Sequence, residues 1–372
     1  MTKDLKNQLI KQQRFFEDIL SGMDDWVRVI GLDNNIIFMN NPMKKKIGNN
    51  VGKPCYLSLG KTAPCENCIS NRTIIGEKSI TKEEIVNGRI YSVVSSPIRD
   101  ENDQIYCAVE VFRDITEARA MEALILEQNK KMKNDLDFAK QLQHKILPAN
   151  KVYYEALKIS SIYIPSEILG GDVYDVVEIN EDHIGLYIAD VSGHGVTSSM
   201  MTMFIRQTLK NLGKDAINPD VTLKYLYHRY RELNIDAQYY ITIFYGVYDK
   251  TNKLFTYSNA GHNCLPIVIR RDGIEEIELP GLPICTLFND VEYGTKSIPL
   301  EKGDKILFYT DGITEAHNGE EGFFKSQSVL QLCSDHKEKD IAELLQIIID
   351  EVNAFSKGNV KDDIAIMAGE IV

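Results

Sequence analysis

The 372-residue chain has no apolar run approaching the roughly 20 residues that cross a bilayer, and its first residues, MTKDLKNQLIKQQ, are polar rather than leader-like. A cytoplasmic protein with no membrane partner is expected. Positive charge is also short: 42 Lys and Arg against 54 Asp and Glu leave a net charge of −12. This argues against a nucleic-acid partner and offers no cationic face to anionic lipid. The seven cysteines are odd in number and unevenly placed, so they form no disulfide framework. Glycine and proline are missing from Glu117 to Leu147, a gap that only a long helix fills easily.

The acidic residues are patterned. DVYDVVEI and HIGLYIADV, around the turn Asn180-Glu181-Asp182, read as two strands of a hairpin. With the turn centred near Glu181, antiparallel pairing sets Asp172 opposite Asp190. Two carboxylates side by side in apolar surroundings repel, and a divalent cation is the simplest group that keeps both ionised. Two more strand ends carry aspartate: KILFYT runs into Asp311-Gly312, and IAIMAGEI follows Asp362-Asp363. Asp beside Gly is also ordinary turn chemistry at any single site. Hard oxygen donors with no His or Cys at ligand spacing nearby favour Mg²⁺ or Mn²⁺ over zinc.

Five segments in order, GGDVYD, ADVSGHG, NAGHN, TDGITEA and DDIAIM, resemble the bacterial SpoIIE/RsbU-type serine/threonine phosphatases of the metal-dependent, type 2C-like (PPM) class. The resemblance covers about residues 153–372. It implies two divalent cations, with Asp190 as the bridging carboxylate and the Val191 carbonyl, Asp311 and Asp362 as further ligands. Asp172 is implied as a direct or water-mediated ligand, with Asp363 and Asp175 supporting the ligands. Two cations roughly 4 Å apart would activate a shared water for in-line attack on a phosphoserine or phosphothreonine phosphorus. His194 in SGHG and His262 in AGHN are the histidines near these motifs, and His194 is the candidate general acid. Cys264, Cys285 and Cys333 lack the setting of a thiolate nucleophile and read as small hydrophobes.

The expected architecture is α+β in three parts: a PAS-like sensor at 12–116, a helical linker at 117–150 and a phosphatase domain at 151–372. The last is expected as an α-β-β-α sandwich of two antiparallel sheets flanked by helices. Its strands are read at 159–164, 173–179, 184–191, 240–248, 254–259, 266–270, 275–279, 305–310 and 364–371, with helices at 197–212, 221–235 and 341–355. In the linker, Met121, Ile125, Gln128, Met132, Leu136, Ala139, Leu142 and Ile146 recur mostly every three or four residues. That spacing fits a coiled-coil dimer or an amphipathic helix packed on its own domain, and the family resemblance favours the dimer.

The PAS-like reading of the first part rests on a hairpin VRVIG/IIFMN, a later pair IYSVVSSPI/IYCAVEVFR, and the Asp114-Ile115-Thr116 step into the linker. Cys55, Cys65 and Cys68 are compatible with zinc or an iron–sulfur cluster, with Cys107 a conceivable fourth ligand, with a redox-sensitive thiol pair, or with no special role. The resemblance implies a phosphorylated anti-anti-sigma (STAS-domain) protein as substrate, dephosphorylated under control of the sensor. The alternative is a non-catalytic signalling scaffold of the same fold. Nucleotide cyclisation, suggested by the letters GGD, lacks a Gly-rich phosphate loop with Lys.

Overall fold

The computed structural model describes residues 3–236, 238–319 and 322–372. It divides into two compact units, one ending at Lys131 and one running from Met132 to Val372, with the helix Thr116–Ile146 passing through the boundary. No helix among the described residues is long and apolar enough to cross a membrane.

The first unit holds a five-stranded antiparallel sheet in the order Ile36–Met39, Trp26–Gly31, Ile105–Asp114, Arg89–Arg99, Ile80–Val86. Both expected hairpins are present. The edge strand Ile80–Val86 went unread because ITKEEIV places Lys and Glu among its half-exposed positions and so hides the strand period. Helices Lys3–Ser21, Asn41–Ile47 and Ile69–Gly76 complete the unit. Asn40 caps the second of them, its Oδ1 accepting from the Met43 amide at 3.2 Å. Trp26, Ile30, Met43, Tyr91 and Phe112 lie in the core.

The second unit is two stacked antiparallel sheets with helices on both outer faces. One sheet runs Lys296–Pro299, Leu254–Ala260, Ile241–Asp249, His183–Val191, Asp172–Glu178. The other runs Ile274–Glu276, Ile267–Ile269, Lys305–Tyr309, Ile364–Ile371, Leu157–Ile164, Val152–Tyr153. Tyr174, Leu186, Ile188 and Phe244 from the first sheet meet Ile159, Ile306, Phe308 and Met367 from the second, forming the layer between them. The alternate residues Val173, Tyr187, Ala189 and Ile243 face outward onto helices Val196–Leu212 and Pro219–Glu232. Helices Lys325–Asp335 and Ile341–Ser356 cover the opposite sheet.

The nine strands and three helices read from sequence all occur, with ends shifted by a few residues. Pro219 opens its helix two residues earlier than expected, since its fixed φ suits the first helical turn. Strands Val152–Tyr153 and Lys296–Pro299 and helix Lys325–Asp335 are additional. The C-terminal strand Ile364–Ile371 sits between Lys305–Tyr309 and Leu157–Ile164, far from a simple meander. This insertion brings the residues before it beside those that follow Tyr309.

Candidate metal centre

Asp172 and Asp190 are direct cross-strand partners, the register expected from the hairpin. Asp172 shares a strand face with Tyr174 and Val176, so the pair points between the sheets at one end of the sandwich. Asp172 is buried, and its Oδ2 has no hydrogen-bond partner. Burial and then the Asp190 charge hold its carboxyl well above the usual range, partly offset by a hydrogen bond from Thr310. Asp190 is pushed up to about 7, first by burial and then by Asp311, Asp362 and Asp363.

The other sheet supplies the facing acids. Asp311 opens the single-turn helix Asp311–Thr314 directly after strand Lys305–Tyr309, and Asp362 precedes the neighbouring strand Ile364–Ile371. Carboxylate oxygens of Asp311, Glu315 and Asp362 lie within 4.8 Å of one another, close enough to share a cation. Burial, then Asp362 and Glu315, raise Asp311 to about 6. Glu315 is the residue that sequence reasoning missed. The signal was present in TDGITEA, where Glu315 stands four residues after Asp311, one helical turn on.

Asp363 does different work from Asp362. Its Oδ1 accepts from the Ser166 amide at 2.7 Å and hydroxyl at 2.8 Å, and its Oδ2 accepts from the Gly171 amide at 2.6 Å. These bonds leave it as an anchor for the loop that carries Asp172. Backbone proximity makes two glycines obligatory here. A Cβ on Gly312 would lie 2.0 Å from the Asp363 carbonyl, and one on Gly171 would lie 2.9 Å from the Val191 carbonyl. Thus Val191 O packs against the Asp172 loop, while Val191 N donates to Gly171 O at 3.2 Å.

The two histidines separate. His262 is buried, its Nε2 3.1 Å from the Tyr309 carbonyl and its backbone N–H donating to Asn259 Oδ1 at 2.8 Å. Burial lowers it to about 4, so it stays neutral and holds the end of the strand before Asp311. His194 is exposed, with Nδ1 2.9 Å from Glu167 Oε1. Asp175, expected to support the metal ligands, instead lies on the opposite face of its strand, paired with Arg206 at 2.9 Å and Lys210 at 3.6 Å. The period of two explains the correction: residues 172 and 175 differ by three positions and cannot share a face.

The sequence profile described as Stage II sporulation protein E (SpoIIE) matches residues 180–371, just over half of the chain. The chain belongs to the SpoIIE family. It is 30% identical over 237 residues to the phosphoserine phosphatase RsbU of Bacillus subtilis (strain 168), covering 63% of this chain and 70% of RsbU. It is 26% identical over 236 residues to the phosphoserine phosphatase RsbP of the same organism, covering 62% of this chain and 56% of RsbP. The fold resembles the SiaA-PP2C domain of Pseudomonas aeruginosa, with a TM-score of 0.57 at 21% identity, over 65% of this chain and 98% of that domain. Membership makes this a protein serine/threonine phosphatase of the RsbU type, built on the PP2C fold.

Beside the carboxylates, this SpoIIE-family unit has an open groove of about 610 Å³. Glu315 and Asp362 form part of its wall, and His317, Lys357, Lys361 and Phe323 line the rest. In the first unit, Cys55, Cys65 and Cys68 surround a cavity of only about 10 Å³ together with Arg28, Glu84 and Glu110. Among the described residues their three sulfurs do not all lie within 4.8 Å of one another, so the geometry gives no support to the zinc or iron–sulfur option. Cys65 instead lies 3.5 Å from the Lys61 ammonium, and Cys107 does not line the cavity. The buried Arg28–Glu110 ion pair at 2.7 Å, with Ser58 and Ser70 bonded to it, fills the centre of that region.

Proposed function

We propose that this chain is a Mn²⁺- or Mg²⁺-dependent phosphoserine/phosphothreonine phosphatase of a bacterial signalling pathway. Its substrate in this reading is a phosphorylated STAS-domain regulator, and its first unit acts as a PAS-like sensor. The carrying observation is the concentration of acid: buried Asp172 with an unpartnered oxygen, Asp190 directly across the strand pair from it, and Asp311, Glu315 and Asp362 within mutual reach. Such crowding destabilises a fold unless cations occupy it, and all the side-chain donors are hard oxygens. The residues therefore fit a divalent-metal centre.

Asp190, Asp172, Asp311, Glu315 and Asp362, with the Val191 carbonyl, are the groups that would hold the metal. When bound, divalent metal supplies a nucleophilic water and neutralises charge on the phosphoryl oxygens. The chain's own contribution is placement. Asp363 and Gly171 hold the Asp172 loop, Gly312 lets the turn after Asp311 pack against the Asp363 carbonyl, and Glu167 orients the His194 imidazole. His194 is the assigned proton donor to the seryl oxygen, because it is accessible whereas His262 is buried and neutral. Lys357 and Lys361 give the groove a cationic lining in an otherwise acidic protein, suited to a phosphorylated segment lying across Glu315 and Asp362.

The linker helix supports the dimer reading: Met121, Ile125, Met132 and Leu142 are exposed along it. A scaffold of the same fold would have no physical need for the crowded acids, which disfavours the non-catalytic alternative. Hydrolysis of a phosphoserine STAS protein with and without Mn²⁺, beside Asp190→Asn, tests the assignment. Metal-dependent turnover that falls at least about a hundredfold in the variant is expected, since even groups that only support metal ligands contribute 10–100-fold. A wild-type rate independent of metal overturns it.

A further inference from the structure

Gln143 is the only buried residue of the 31-residue helix Thr116–Ile146. It lies within the second unit, and its side chain closes a two-point bond on the backbone of one residue. Its Nε2 donates to the Gly170 carbonyl at 2.7 Å, and its Oε1 accepts from the Gly170 amide at 3.2 Å. Gly170 stands two residues before Asp172, in the loop whose next amide, Gly171 N–H, is already held by Asp363. The loop is thus fixed from two sides, by a carboxylate on one and a carboxamide on the other.

The choice of residue at each point follows from space. A Cβ on Gly170 would lie 2.1 Å from the Tyr163 hydroxyl and 2.7 Å from Asp363 Oδ2, so the absence of a side chain is what allows Tyr163 and Asp363 to approach. Tyr163 packs edge-on to His144, the neighbour of Gln143, with centroids 5.8 Å apart, closing the other side of the contact. Only a side chain with both a donor and an acceptor at its tip satisfies a peptide N–H and C=O together, and Gln has the length to do so from a helix. Asp172, by contrast, has an oxygen with no protein partner, so its aim depends on how the loop before it is held.

We infer that Gln143 is a positioning residue for the metal centre: it fixes the Gly170-Gly171 loop and thereby aims Asp172, so that removing its amide weakens metal binding. The inference rests on the metal-centre reading above. It gives the last turn of the linker helix a direct bond to the ligand loop, through one side chain rather than through an apolar face.

The test is calorimetric titration of Mn²⁺ into the full-length wild-type protein, Gln143→Leu and Gln143→Glu, with melting curves of each. Gln143→Leu leaves both Gly170 groups unpaired and is expected to raise the Mn²⁺ dissociation constant about tenfold or more, the range seen when supports of metal ligands are removed. Gln143→Glu keeps the acceptor for Gly170 N–H, loses the donor, and should fall between the two. Hydrolysis at saturating Mn²⁺ should recover to within about threefold of wild type. A merely structural role would lower the melting midpoint while leaving Mn²⁺ affinity unchanged, and that result overturns the inference. Should Gln143→Leu fail to fold, Gln143→Glu decides alone: affinity within twofold of wild type overturns the inference, and weaker binding supports it. If wild type itself binds no Mn²⁺, the metal-centre reading fails and this inference with it; wild-type binding with unaltered variants removes only the role of Gln143.

Discussion

Asp190 illustrates how one side chain, proposed as a metal ligand, also opposes stability. Its carboxyl is raised to about 7 in the metal-free protein, against an ordinary value near 3.8. The native state therefore binds more protons than the unfolded chain between about pH 4 and pH 7, and stability is lost as pH rises through that window. Asp311, raised to about 6, acts in the same direction. Metal-free protein should accordingly melt lower at about pH 7.5 than at about pH 5.5, and added Mn²⁺ should restore more at the higher pH. Asp190→Asn should raise the metal-free melting midpoint at about pH 7.5 by about 2–4 °C, corresponding to roughly 1 kcal/mol, while removing turnover. Melting curves with and without chelator measure this, and an Asp190→Asn protein less stable than wild type would contradict it. For His194, the expectation is a fall in kcat of about a hundredfold in His194→Ala with KM little changed. An unchanged kcat would leave His194 as a turn residue only.

At the level of single elements, the hairpin from Asp172 to Val191 was legible because its alternation and turn fix a register, and register alone puts the two acids opposite. The same rule corrects Asp175, whose odd offset sends it to the helix-facing side. Glu315 escaped because its role depends on a single helical turn, too short to leave a periodic pattern. The linker was legible as a helix from its composition, yet the pattern of apolar residues did not single out Gln143, which is polar and buried. The exposed Ile125 and Met132 belong to the proposed self-association seam. Ile125→Glu with Met132→Glu should convert a dimer to a monomer in sedimentation analysis; a wild-type monomer at micromolar concentration would remove the seam.

Across the whole molecule, the proposed sensing and the hydrolysis fall in different parts of the chain, and the boundary at Lys131–Met132 lies inside one continuous helix rather than at its ends. Hydrolysis by the full chain should differ from that of a 132–372 fragment when the thiols near Lys61 are oxidised or reduced. Equal rates under every condition would remove the coupling. The sequence by itself determined the two-sheet class, the helices and the acidic pairs, because alternation, helical period and turn residues are local and each leaves its mark within a few positions. Tertiary structure alone decided what meets what. The C-terminal strand inserts between Lys305–Tyr309 and Leu157–Ile164, carrying Asp362 to Asp311 and Glu315, while Asp363 and Gln143 reach the Gly170-Gly171 loop across 192 and 27 residues of chain. Contacts of that kind are set by packing between layers and leave no period in the sequence from which to read them.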